Sequence, residues 1–140
     1  MANDQPKILV VDDEAPLRRI LTTRFSILGY QVVTAADGEQ ALDVFLAADP
    51  NLVILDVKLP KLDGYAVCQE LRQTSEVPII MLSALSHVAD RSLGLQLGAD
   101  DYIFKPCSLK ELEATIEVML RRVNPFVDLW LTCHLAQGCK

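Results

Sequence analysis

Five short apolar runs recur along the chain at residues 7–12, 31–35, 51–56, 77–82 and 101–104, each of strand length. The first, third and fourth are nearly continuous apolar runs, as strands buried on both faces should be. Between them lie longer segments whose apolar positions return every three or four residues, which predicts helices over 14–28, 38–48, 64–73, 88–97 and 108–122. Each carries its own punctuation. Pro16 falls in a first turn that needs no backbone donor, while Gly29 and Gly98 stand where the first and fourth helices should stop. Ser108 followed by Glu111 has the spacing of a capping box, and Leu109, Leu112, Ile116 and Met119 or Leu120 form the apolar stripe of the last helix.

Strict alternation of strand and helix predicts an α/β fold, with five βα units wound into a doubly wound parallel five-stranded sheet of flavodoxin-like order 2-1-3-4-5. With 140 residues the chain fills one core, assigned to residues 1–122. Residues 123–140 follow as an apolar tail of no assigned role, in which Phe126, Leu129, Trp130 and Cys133 have the spacing of a short amphipathic helix. Hydrophobic residues make up 51% and charged residues 23%, a balance that excludes disorder and low complexity. The net charge of −6 repels nucleic acid phosphates and anionic membrane surfaces, so the chain is expected to bind neither nucleic acid nor membrane. No apolar run approaches the roughly 20 residues of a spanning helix. The N-terminus has no basic region followed by an apolar stretch, and the four cysteines show no Cys-x-x-Cys spacing, which together point to the cytoplasm. Cys133, His134 and Cys139 lack a regularly spaced fourth ligand and are poor candidates for a metal site.

In an open sheet of this order, ligands gather at the carboxyl ends of the strands, in the crevice between strands 1 and 3. Strand 1 ends in Asp12-Asp13 and strand 3 in Asp56. Three carboxylates in one crevice repel unless a cation sits among them, and an all-oxygen site open to water suits Mg²⁺. The plainer alternative is that these acids are solvated loops and caps, with Asp13 capping the following helix. Strand 4 brings Ser83-Ala84 to the same edge and strand 5 leads into Lys105-Pro106, supplying a hydroxyl donor and a compact positive charge for a phosphoryl group. Taken singly, these two are a turn serine and a surface lysine. Together with the acids they describe a phosphoryl site around a carboxylate nucleophile.

These residues, with the stretch Asp-Val-Lys-Leu-Pro-Lys-Leu-Asp-Gly at 56–64 and Gly-Ala-Asp-Asp-Tyr at 98–102, closely resemble the receiver domain of two-component response regulators. The stretch Gly-Ala-Asp-Asp-Tyr-Ile-Phe-Lys-Pro and the Lys-Glu-Leu-Glu-Ala start of the last helix resemble the OmpR/PhoB subfamily, and residues 61–72 its photosynthetic-bacterial and plastid branch. The resemblance implies that Asp56 accepts a phosphoryl group from a sensor histidine kinase. It implies Mg²⁺ held by Asp13, Asp56 and the backbone carbonyl of Lys58, with Asp12 acting through water. Ser83, Ala84 and Lys105 would bind the phosphoryl oxygens, and a cis Lys105-Pro106 bond is expected. Movement of Ser83 toward the phosphoryl group would leave space for the ring of Tyr102. The resemblance further implies that helix 4, strand 5 and helix 5 form a dimer face through Arg91, Asp100, Asp101, Glu111 and Arg122 around an apolar patch including Val88 and Leu112. Thr115 and Glu117 replace basic residues of that charge network, so a weak homodimer is expected.

Other chemistries fit less well. A haloacid-dehalogenase-type hydrolase needs a second Asp two residues after its nucleophile, where this chain has Lys58. A flavodoxin needs a phosphate loop after strand 1, where Asp12-Asp13-Glu14 repels phosphate. No Gly-rich nucleotide motif occurs. The remaining alternative is a receiver that serves as a protein-interaction scaffold without being phosphorylated, which phosphorylation of Asp56 would discriminate.

Overall fold

The computed structural model describes residues 5–123. Its elements alternate as β1 (Lys7–Val11), α1 (Ala15–Ile27), β2 (Gln31–Ala35), α2 (Gly38–Ala48), β3 (Leu52–Leu55), α3 (Gly64–Thr74), β4 (Ile79–Ser83), α4 (Val88–Gln96), β5 (Asp101–Phe104) and α5 (Leu109–Val123). The five strands form one parallel sheet in the order β2-β1-β3-β4-β5, as the sequence pattern predicts. The tail beyond Val123, with Phe126, Leu129, Trp130, Cys133, His134 and Cys139, lies outside the described residues.

Side chains on successive strand residues point to opposite faces, and β1 divides the core accordingly. Ile8 and Val10 pack with Leu21 and Phe25 of α1 and with Leu112, Ile116 and Leu120 of α5. Leu9 and Val11 pack with Ala41 and Phe45 of α2 and with Val67, Cys68 and Leu71 of α3. All four residues of β3 are buried, which accounts for the unbroken apolar run that marks it in sequence. α4 contributes least to this core, with only Gly94 buried.

The strand ends differ by a residue or two from the sequence reading, and the differences have causes. β4 starts at Ile79 because Pro78 has no amide to donate to a ladder; its carbonyl still accepts from Val53 N–H at 2.9 Å. Asp12 and Asp56 stand one residue past β1 and β3, although their own amides continue the ladder to Ala35 O at 3.1 Å and Val11 O at 3.0 Å. Gly29 and Gly98 close α1 and α4 with φ of 96° and 115°, the left-handed conformation that favours glycine. Ser108 Oγ accepts the Glu111 amide proton at 3.0 Å, so the expected cap starts α5.

Leu112 requires a correction. Read from the resemblance as part of a surface patch, it is fully buried in the α1–α5 side of the core, because the apolar stripe of α5 faces the sheet. Leu112→Ala should therefore lower unfolding stability by about 2–5 kcal/mol in urea melts, independently of protein concentration. A loss well under about 1 kcal/mol would place the residue at the surface after all.

Candidate functional site

Four strand ends converge at one edge of the sheet. β1 delivers Asp12 and β3 delivers Asp56, whose carboxylates are nearly withdrawn from water at 3% and 6% exposure. β4 ends in the fully buried Ser83, and the residue after β5 is Lys105. The lysine ammonium donates to Asp12 Oδ2 at 2.7 Å and to Asp56 Oδ2 at 3.1 Å. It also lies 3.5 Å from Glu14 Oε1, a partner that sequence reasoning did not assign. The peptide bond between Lys105 and Pro106 is cis, as expected.

The other carboxylate oxygens are held by backbone. Asp12 Oδ1 accepts from Glu14 N–H at 2.9 Å, and Asp56 Oδ1 from Lys58 N–H at 3.3 Å. Asp13 is exposed, and the helix that follows is entered through Glu14 with no side-chain cap, so the reading of Asp13 as a helix cap fails. Asp12, Asp13 and Asp56 each offer an oxygen within 4.8 Å of the others, a set of hard ligands on one side of the lysine. Beside it runs an open cleft of about 550 Å³, lined among others by Asp13, Lys58, Pro60 and Tyr65.

Burial raises the Asp56 carboxyl pKa above its ordinary value; the charge and hydrogen bond of Lys105 pull it back, and nearby Asp12 adds to the rise. For Lys105, burial acts to lower the ammonium pKa, but hydrogen bonds and charges from Asp12 and Asp56 outweigh it, and the net direction is upward. The ammonium is thus held charged between Asp12 and Asp56. The chemistry of the donor set, three carboxylates of which Asp13 opens to water, fits Mg²⁺.

Arg18 was not singled out by sequence reasoning, yet its guanidinium donates to the Asp12 backbone carbonyl at 2.7 Å from inside α1. No local motif announces that contact, since it depends on how α1 packs back over the end of β1. Tyr65 Oη donates to Asp90 O at 3.1 Å, joining the start of α3 to the first turn of α4. Tyr102 is already buried, with its hydroxyl donating to Leu85 O at 2.9 Å, while Ser83 Oγ accepts from Leu85 N–H at 3.2 Å. In this structure the Tyr102 ring is already inside while Ser83 is bonded to Leu85. Ala84 is exposed beside them.

On the expected dimer face, Val88, Arg91, Glu111 and Arg122 are exposed and Asp101 is partly so. Among the described residues, Arg91 and Arg122 form no ion pair within the chain. Asp100 is otherwise engaged. Its Oδ2 accepts from Arg72 at 2.9 Å and from Ile79 N–H at 2.8 Å, and Arg72 also donates to the carbonyls of Val77 and Gly98 at 2.7 and 2.9 Å. Asp100, exposed like its neighbours on this face, thus also serves as a clamp between α3, β4 and the α4–β5 turn.

Residues 8–117 match the family model described as "Response regulator receiver domain". The chain is 68% identical over 118 residues to a "Probable transcriptional regulator ycf27" of Porphyridium aerugineum, covering 84% of this chain and 49% of the relative. It is 65% identical over 126 residues to the protein of the same description from Cyanophora paradoxa, covering 89% of this chain and 53% of the relative. The chain thus spans about half the length of the curated relatives it matches. These relatives bear out the resemblance to the plastid branch of OmpR-like regulators. Among solved structures, the "Francisella response regulator 1452 receiver domain" superposes with a TM-score of 0.82 at 33% identity, covering 86% of this chain and 100% of that one. The order of the strands, the acids at their ends and these matches agree: the chain belongs to the response regulator receiver domain family.

Proposed function

We propose that Asp56 is the phosphoacceptor of a two-component signalling pathway, taking its phosphoryl group from the histidine of a sensor kinase. The observation that carries this reading is the placement of a buried Asp56 against Lys105, with Ser83 at the adjoining strand end and Asp12 and Asp13 opposite. A carboxylate oxygen of Asp56 attacks phosphorus; the new O–P bond forms as the N–P bond to the kinase imidazole breaks, and the electron pair leaves with that nitrogen. The protein contributes little covalent chemistry beyond the nucleophile, so its task is alignment and charge. Lys105, 3.1 Å from Asp56 Oδ2, takes one product oxygen, and the Ser83 hydroxyl takes another. Asp13, Asp56 and the Lys58 carbonyl would hold Mg²⁺, with Asp12 acting through water. When bound, that ion supplies positive charge to offset the carboxylates and the equatorial phosphoryl oxygens. Lys58, exposed beside the acceptor, is placed to obstruct an incoming water and slow loss of the phosphoryl group.

Residues 1–122 are proposed to carry this function. No described helix is long and apolar enough to cross a membrane; a cytoplasmic site of action is proposed through membership of the response regulator receiver family. Transcription control belongs to the proposal through the relatives described as transcriptional regulators, of which this chain matches about half the length. The chain itself, at net charge −6, is proposed not to bind nucleic acid.

Incubation with a small acyl phosphate and Mg²⁺ should add one phosphoryl group by intact mass, and Asp56→Asn should abolish it. Undiminished labelling of that variant would overturn the assignment to Asp56, and a wild type that takes no label would leave the scaffold reading in its place.

Output is proposed to pass through the α4–β5–α5 face, where Val88, Leu93 and Phe104 are exposed. With Asp100 engaged by Arg72 and Thr115 and Glu117 unable to act as cations, few intersubunit pairs remain. Surface pairs contribute about 0–1 kcal/mol each, so the dimer should be weak and strengthened by phosphorylation. Sedimentation showing a tight dimer, indifferent to phosphorylation and to Arg91→Ala, would contradict it.

A further inference from the structure

The loop from Asp56 to α3 is fastened at its base and at its tip. At the base, Gly64 N–H donates to Val57 O at 2.8 Å, and a Cβ on Gly64 would lie only 2.1 Å from Asp56 O. At the tip the support comes from another element. Gly38, the first residue of α2, donates its N–H to Pro60 O at 3.3 Å, and a Cβ there would fall 1.9 Å from Leu62 O and 2.6 Å from Leu62 Cβ. Pro60 O also accepts from Leu62 N–H at 2.7 Å, closing a tight turn about Lys61, whose φ of 71° is unusual for a residue other than glycine. Lys61 Nζ in turn lies 3.8 Å from Asp37 Oδ2, and Asp37 caps α2 by accepting from Gln40 N–H at 2.8 Å.

We infer that Gly38 is a positioning residue for the cation site, because the bare start of α2 sets the height of the 60–62 turn and, through it, of the Lys58 carbonyl. The inference rests on the reading of Asp13, Asp56 and Lys58 as cation ligands and adds a residue outside that set. The obstruction is backbone against backbone, so no side-chain rotation relieves it. A methyl group at position 38 must push the turn away by about an ångström, since contacts under 3.0 Å are essentially never seen for real Cβ atoms. The turn has little freedom to absorb this. Pro60 fixes one φ, Lys61 already sits in a disfavoured region, and only Leu59 separates the turn from Lys58. Asp56, by contrast, is anchored by the strand through its amide N–H, which donates to Val11 O at 3.0 Å. The displacement therefore falls on the carbonyl ligand and spares the nucleophile.

The test is a titration of the full chain with Mg²⁺ alone, followed by amide NMR shifts of residues 56–64, in wild type and Gly38→Ala. Loss of a group that orients a metal ligand typically costs 10–100-fold in affinity, so Gly38→Ala should weaken Mg²⁺ binding by about tenfold or more. Labelling by a small acyl phosphate should slow at low Mg²⁺ and recover at saturating Mg²⁺. Phe45→Leu, two turns further along α2 and buried, should lower stability while leaving Mg²⁺ affinity unchanged, which separates positioning from general weakening. Lys61→Gly loosens the same turn without requiring new space, and should weaken Mg²⁺ binding in the same direction by a smaller factor; it decides the matter if Gly38→Ala does not fold. Wild-type affinity retained in the folded position-38 and position-61 variants would overturn the inference alone. No Mg²⁺ response from the wild type at residues 56–64 would overturn it together with the cation site on which it rests.

Discussion

A single ammonium group stands between two carboxylates that are almost wholly removed from water: Lys105 Nζ lies 2.7 Å from Asp12 and 3.1 Å from Asp56. Taking such charges out of water costs several kcal/mol each unless they are paired and hydrogen-bonded. Here every partner comes from a strand end or the backbone beside it, so the arrangement exists only if β1, β3 and β5 finish at the same level. The parallel sheet ensures this, and the apolar layers on its two faces hold the strands in register. The fold thus maintains a concentration of negative charge that no flexible chain would keep. The balance is unfavourable enough that the Asp56 carboxyl is pushed above its ordinary pKa. Its favourable contribution to folding is complete below the unfolded carboxylate range and is lost as pH rises through the native value. At neutral pH the ionised Asp56 carboxyl therefore opposes folding, while Lys105, whose pKa is also raised, favours it.

Much of this was legible in the sequence because the signals were chemical and local. Apolar runs ending in acids located β1 and β3 together with Asp12 and Asp56, and strand–helix alternation gave the topology that brings them together. What escaped the sequence depends on the direction of a side chain or the closeness of two backbones. Leu112 lies on the buried stripe of α5, and its expected place on a surface patch ignored that helical period. Nothing local to Asp100 announces that Arg72, 28 positions earlier, reaches it across the end of α3. Gly38 carries no chemical group at all, so only the position of Leu62 against it reveals why that residue is bare.

The same packing connects Asp56 to the α4–β5–α5 face. Ser83 and Tyr102 both bond to Leu85, and Tyr65 at the start of α3 bonds to the first turn of α4. α4 has a single buried residue, whereas α5 is anchored by a full apolar stripe. An element with so little buried apolar area is the one that a small change at the strand ends can displace. Charge arriving at Asp56 would act on Ser83 and Lys105 first, and through the β4–α4 connection on α4.

The shared ammonium is tested most directly by following the Asp56 side-chain carboxyl by carbon NMR against pH, without Mg²⁺, in wild type and in Lys105→Ala. The wild-type carboxyl should titrate above the ordinary aspartate value of about 3.9, and removal of the ammonium should raise it further. A wild-type titration at or below the ordinary value, unmoved by Lys105→Ala, would show that Lys105 does not hold the two carboxylates together.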